Sequence, residues 1–178
     1  FDTVPETERS RLKNQPAEKR GLSSFRRIDH VNFNLSNAAE CATWFADVLD
    51  FKLREEAVDE NGNQLAAWMS VSPLVHEIAF VTPPPDANQI DEIDHVAYYF
   101  DGGQSGELER MADLLREQDI ELVGGPARHG VSQAHFMYYV EPSGNKIEAF
   151  AGGLLIFDPE WETITWTPED GSDTFVWW

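Results

Sequence analysis

Hydrophobic and polar positions change period along this chain in an order that occurs twice. RRIDHVNFNL (26–35) alternates, with Ile28, His30, Asn32 and Asn34 opposite Val31, Phe33 and Leu35, which predicts a strand with one polar face. In NAAECATWFADVLDF (37–51), Cys41, Trp44, Phe45, Val48 and Leu49 recur at helical spacing, and Ser36 or Asn37 supplies an N-cap. FKLREEAV, the turn-forming DENGN and QLAAWMSV predict a hairpin, and VHEIAFV a further strand with His76, Ile78 and Phe80 on one parity. Residues 26–81 therefore read βαβββ.

TPPPDANQ (82–89) is a Pro-rich connector, after which the order returns. IDHVAYYF (93–100) predicts a strand, and GELERMADLLREQD (106–119) an amphipathic helix carrying Leu108, Met111, Leu114 and Leu115. IELVGGPARHG, QAHFMYYV and KIEAF predict three more strands, the last two joined by the turn formers Pro142, Gly144 and Asn145. The tetrapeptide IDHV stands at 28–31 and again at 93–96. Two such units cannot bury a sheet face alone, so they should pair around a shared concavity. The expected fold class is α+β, two paired βαβββ modules (26–81 and 93–150) forming a cupped mixed sheet within one domain over 26–153. Residues 1–25 read as a linker or N-terminal arm. Residues 154–178, rich in aromatics and without clear periodicity, read as a tail packing on the domain or a neighbour.

Composition narrows the partners. Thirty-two acidic against thirteen basic residues give a net charge of −19, a field that repels phosphate backbones and argues against nucleic acid. Only four lysines occur (13, 19, 52 and 146), a balance suited to solubility in high salt or to an acidic cytosolic protein. No apolar run approaches the roughly 20 residues of a bilayer span and no secretory signal is visible, so a cytoplasmic protein without a membrane partner is expected. The single cysteine, Cys41, cannot form an internal disulfide and reads as a small buried residue of a reducing compartment.

The chemistry enters through three positions. Each repeat opens with a strand bearing a histidine, His30 and His95, and the last strand sets Glu148 between Ile147 and Ala149. A carboxylate in a short apolar strand needs a cation nearby. Two imidazoles and one carboxylate on one side of a divalent ion leave coordination positions open, the facial-triad pattern of non-haem Fe(II) oxygenases. Singly, each histidine could be a satisfied strand residue, and Glu148 could pair with Lys146 or Arg128.

With these flanks the sequence resembles the extradiol ring-cleavage dioxygenases of the vicinal oxygen chelate superfamily, the catechol 2,3-dioxygenases (metapyrocatechases) in particular, over residues 26–168. IDHVNF, DHVAYYF and GNKIEAFAGG resemble the strands bearing the metal ligands, which implies His30, His95 and Glu148. VHEIAF resembles an HDxAF-type motif and implies His76 beside the metal. GPARHGVS and FMYYVEPSGN imply His129 next to substrate and Tyr138 hydrogen-bonding a substrate oxygen, at spacings of 9 and 10 up to Glu148. ETITWT is similar to the family's C-terminal segment.

The resemblance implies a glyoxalase-like fold around Fe(II), with Mn(II) the alternative, catechol and O2 as small-molecule partners, a 2-hydroxymuconate semialdehyde-type product and a homo-oligomer. Trp68, eight residues before His76, is a candidate wall for the substrate ring, and Asn32, two after His30, points the same way. His135 has the wrong parity. Three departures stand out. The family's non-catalytic N-terminal domain is absent from this chain. Val123-Gly124-Gly125 replaces the Arg found before the GP motif in relatives that act on carboxylated catechols, which favours catechol or an alkylcatechol. Glu77 stands where the motif has Asp. A glyoxalase-like metalloenzyme, a metal-binding fragment without activity and a metal-free binding module are the alternatives.

Overall fold

A computed structural model describes residues 25–88, 90–100 and 105–178; apart from Phe25, the expected N-terminal arm lies outside them. Strand β1 (Phe25–Asn34) leads to helix α1 (Ala38–Leu49), strands β2 (Lys52–Val58) and β3 (Gln64–Ser70), and the short β4 (Ile78–Val81). The second unit repeats this with β5 (Glu92–Phe100), α2 (Ser105–Glu117), β6 (Leu122–Arg128), β7 (Ala134–Val140) and β8 (Lys146–Gly152). All join one nine-stranded sheet in the order β6-β7-β8-β5-β1-β4-β3-β2-β9, where β9 is Ile164–Trp166. The order is a palindrome of the two units about the antiparallel β1–β5 pair. β4 returns parallel to β1 and β8 parallel to β5; within each unit the remaining pairs are antiparallel.

Local chemistry explains the elements. Asn37 caps α1, its side-chain oxygen accepting from Glu40 N at 3.2 Å. In the hairpin between β2 and β3, Asp59 Oδ1 accepts from the amides of Asn61 and Asn63, both at 2.8 Å. The helices cover the convex face. Ala38, Ala42 and Phe45 of α1 meet Met69 and Phe80, while Leu108 and Met111 of α2 meet Phe100 and Met137. The apolar stripe on α1 is narrower than its sequence suggests, because Trp44, Val48 and Leu49 stay about half exposed.

The concave face of the first unit is lined by small residues, Ala66 and Ala79, with Trp68, and is filled from the second unit by Val131. The tail completes this side. β9 pairs parallel with β2, the Trp161 indole donates to Arg54 O at 3.2 Å, and Trp177 N donates to Arg128 O at 2.7 Å. Gly130 permits this closure, since a Cβ there would sit 2.0 Å from Asp173 O. Among the described residues no helix is long and apolar enough to cross a membrane.

Candidate metal centre and its cavity

The antiparallel pairing of β1 with β5 sets the two IDHV copies side by side, and β8 adds Glu148 beside Ala97. Ligand-type atoms of His30, His95 and Glu148 all lie within 4.8 Å of one another, and all three residues are buried. Glu148 Oε2 is 2.9 Å from His30 Nε2 and 3.0 Å from His95 Nε2.

The aspartate of each IDHV copy, unremarked in the sequence reading, orients its neighbour. Asp29 Oδ1 lies 3.1 Å from His30 Nδ1, and Asp94 Oδ2 lies 2.6 Å from His95 Nδ1. A carboxylate can only accept, so each neutral imidazole carries its proton on Nδ1 and turns the Nε2 lone pair inward. Each aspartate is in turn held by a cation, Arg27 at 2.6 Å from Asp29 and Lys146 at 2.7 Å from Asp94, with Asn34 donating to Asp94 at 2.9 Å. Two lone pairs and a carboxylate therefore converge on one point, a donor set that fits a divalent cation.

Electrostatics agree. Burial alone would lower His30, yet Glu148 and Asp29 outweigh it and raise it to about 9. His95 is raised likewise, with Asp94 and Glu148 overcoming burial. Burial works against ionisation of Glu148, but His30, His129 and His95 hold it well below the carboxylate range. The centre favours positive charge.

Why there are three such residues and not four follows from the internal repeat. Val31 pairs with Ile78 as Val96 pairs with Ile147, so the position in the first unit that matches Glu148 is Ala79. Ala79 lines the inner cavity and leaves that side of the centre open.

This inner cavity, about 70 Å³, is bounded by Asn32, Trp68, His76, His129 and Tyr138 together with the three ligand-type residues. The sequence placed His76 on one parity with Ile78 and Phe80, and that phase is corrected. His76 precedes β4 and faces the cup with Ala79, whereas Ile78 and Phe80 pack beneath α1. Its ring centroid is 4.1 Å from that of His30, and its Nδ1 is buried without a partner. Burial and the neighbouring His30 push its pKa well below 6.5, so it is neutral. Glu77 turns the other way, accepting from the amides of Val71 and Ser72 at 2.8 and 3.2 Å and so fixing the preceding loop.

His129 stacks on Phe136 with ring centroids 3.6 Å apart and donates from Nδ1 to the carbonyl of Phe175. That leaves Nε2 facing the Tyr138 hydroxyl at 3.2 Å and Glu148 Oε1 at 3.4 Å. Burial and the charge of Glu148 raise the Tyr138 phenol well above 10, so it remains a donor. Tyr138 owes its placement to direct cross-strand pairing with Glu148, and a Cβ at Gly124 would come within 3.1 Å of its ring. Asn32 is buried with Oδ1 unpartnered, and Trp68 is a buried wall touching Val131. His135 lies away from the cavity, near Trp178.

An outer cavity of about 400 Å³ shares Asn32, His129, Tyr138 and Phe175 with the inner one and opens past Gly124, Phe136 and Val176. Its lining cation, Lys146, is engaged with Asp94. Phe175 and Val131 were not singled out in the sequence. A phenylalanine in an aperiodic tail and a valine after His129 carry no local signal of their contacts.

Comparison with known proteins gives concordant matches. Residues 27–149 match the family described as the Glyoxalase/Bleomycin resistance protein/Dioxygenase superfamily. The chain is 43% identical over 176 residues to the manganese-dependent 2,3-dihydroxybiphenyl 1,2-dioxygenase of Geobacillus genomosp. 3, covering 98% of this chain and 55% of that protein. It is 38% identical over 174 residues to the metapyrocatechase of Geobacillus stearothermophilus, covering 95% and 52%. Its fold is similar to that of homoprotocatechuate 2,3-dioxygenase from Brevibacterium fuscum in complex with 3,4-dihydroxyphenylacetate, with TM-score 0.77 at 27% identity over 94% of this chain and 49% of the other. The chain thus spans about half the length of the relatives it matches.

Proposed function

The chain belongs to the Glyoxalase/Bleomycin resistance protein/Dioxygenase superfamily, and from that premise we propose that its cup carries out extradiol cleavage of catechol or an alkylcatechol by O2. The observation that carries the reading is the convergence of His30, His95 and Glu148 on one point, with His76, His129 and Tyr138 facing the same small cavity. A glyoxalase-like metal centre alone would leave those last three without a task.

His30, His95 and Glu148 would hold the metal, Fe(II) with Mn(II) as the alternative. When bound, that ion supplies Lewis-acid and one-electron chemistry to a diol and O2. The protein does the rest. Trp68 walls the ring. The neutral ring of His76, which lines the inner cavity, accepts a hydroxyl proton from the diol and returns it to an oxygen of the opening ring. Tyr138 donates its phenol proton to a substrate oxygen as charge develops there, and His129, its Nδ1 proton held by the Phe175 carbonyl, turns the Nε2 lone pair to the same place and orients the substrate. Asn32 offers a buried amide at the same wall. Both oxygen atoms of O2 enter the 2-hydroxymuconate semialdehyde-type product, so no outside reductant is required.

The outer cavity favours an uncharged ring substituent, because its one lining cation is engaged with Asp94. The two units over 26–153 are proposed to act as one catalytic domain, with 154–178 closing one side of the cup. A role in aromatic catabolism in the cytoplasm, as a homo-oligomer without nucleic-acid or membrane partners, completes the proposal. The test mixes anaerobically purified protein with Fe(II) or Mn(II), then catechol in air. A yellow ring-opened product is expected with one of the two metals. No product with either, from protein that retains metal, would leave a metal-binding fragment as the correct reading.

A further inference from the structure

We propose that Glu55 is a positioning residue for the substrate wall: its buried carboxylate, reaching from β2 of the first unit, fixes the Gly130–Gln133 turn of the second, and with it Val131 and His129. Its kinetic readout rests on the ring-cleavage reading above.

Glu55 is 1% exposed, and it pairs directly with Trp68 on β3, so both side chains enter the cup. Its Oε2 accepts from the amide of Ser132 at 2.7 Å, across 77 residues of sequence. The turn that it meets is conformationally demanding. Ser132 and Gln133 both have φ of 58°, a region that costs a side-chain-bearing residue about 1 kcal/mol or more. Such a turn persists only when its surroundings hold it. From its own unit it has Arg128, which donates to Gln133 O and Oε1 at 3.2 and 2.9 Å, and from the tail Leu154 N, which donates to Ser132 O at 3.0 Å. Among the described residues, the hydrogen bond it takes from the first unit comes from Glu55.

The consequences reach the cavity. Val131 packs on Ala66, Trp68 and Ala79, with Trp68 and Ala79 in the lining of the inner cavity. His129 precedes the turn directly. An apolar side chain beside Ala57 and Trp166 would avoid the desolvation of a carboxylate, which here pushes the carboxyl up to about 7. A buried acid in that place is explained by the amide that it holds.

The experiment compares metal-loaded Glu55→Gln, Glu55→Leu and Val131→Ala with the parent chain, measuring metal content, amide hydrogen exchange at Ser132, and kcat and KM for catechol. Glu55→Gln keeps an acceptor, so exchange and KM stay within about twofold. Glu55→Leu keeps its metal, exchanges Ser132 at least tenfold faster and raises KM about tenfold with a smaller change in kcat. Val131→Ala raises KM alike while Ser132 stays protected, which tests the wall even if Glu55→Leu fails to fold. Unchanged KM in Val131→Ala, or in Glu55→Leu with fast exchange, overturns the proposal and leaves Glu55 a stabilising residue only. Slow exchange in Glu55→Leu overturns it too. If the parent chain opens no ring, the activity reading fails by itself, and the exchange arm still decides whether Glu55 holds the turn.

Discussion

The Nε2 atoms of His30 and His95, 65 residues apart in the chain, stand 3.4 Å from each other with Glu148 Oε2 between 2.9 and 3.0 Å from both. Two imidazole nitrogens this close, each steered by an aspartate on its far side, repel unless a proton or a cation separates them. The metal reading begins there.

Removing a ligand should therefore empty the centre. His95→Ala and Glu148→Ala are expected to lose bound metal after dialysis, measured by elemental analysis. Asp94→Ala should keep the ligands but release the imidazole to rotate, weakening metal affinity about 10- to 100-fold. Full metal content in both ligand variants would contradict the site.

His76→Phe separates chemistry from assembly. The ring is buried and neutral, and it is not among the three converging residues, so metal content should match the parent. Loss of a proton-transfer group predicts a fall in kcat of about 10²- to 10⁴-fold. Parent-like turnover would strip His76 of its role.

Ala79→Glu would restore, in the first unit, the carboxylate that the second unit has at Glu148. The expected result is slower metal release to a chelator with turnover at least about a hundredfold lower, because the new group fills a cavity of only about 70 Å³. Unaltered turnover would show that this side is not where substrate enters.

Stability should carry the signature of Glu55. Its carboxyl lies at about 7 in the folded protein against an ordinary 4.5. Below 4.5 both states hold the proton. Between 4.5 and 7 the unfolded chain loses it and the folded chain does not, so folding becomes less favourable as pH rises, by about 3 kcal/mol in all, with no further change above. Glu55→Gln lacks this titration. Urea unfolding should show the variant gaining about 2 to 3 kcal/mol relative to the parent between pH 5 and pH 8; a pH-independent difference would refute it.

Much of the centre can be read in the chain because it is written twice. The IDHV repeat marks the two strands that meet at the middle of the sheet, and the alternation of Phe136, Tyr138 and Val140 against Lys146, Glu148 and Phe150 sets Tyr138 opposite Glu148. Parity misled at His76, since the strand begins only at Ile78, two residues further on. Helical spacing overcounted on α1, where Trp44 and Val48 satisfy the pattern but stay about half exposed.

In REEAV nothing tells Glu55 from Glu56, yet the first is buried beneath the Ser132 amide while the second meets Gln64 and Thr165 at the rim. β9, three residues long, is too short for any period to register. Sequence by itself determined the duplicated modules and the residue types able to bind a cation, because periodicity and charge are properties of neighbours along the chain. Tertiary structure alone decided which acid is buried, which tail carbonyl holds His129 and which face Ala79 leaves open, because these depend on surfaces that meet only after the sheet has closed.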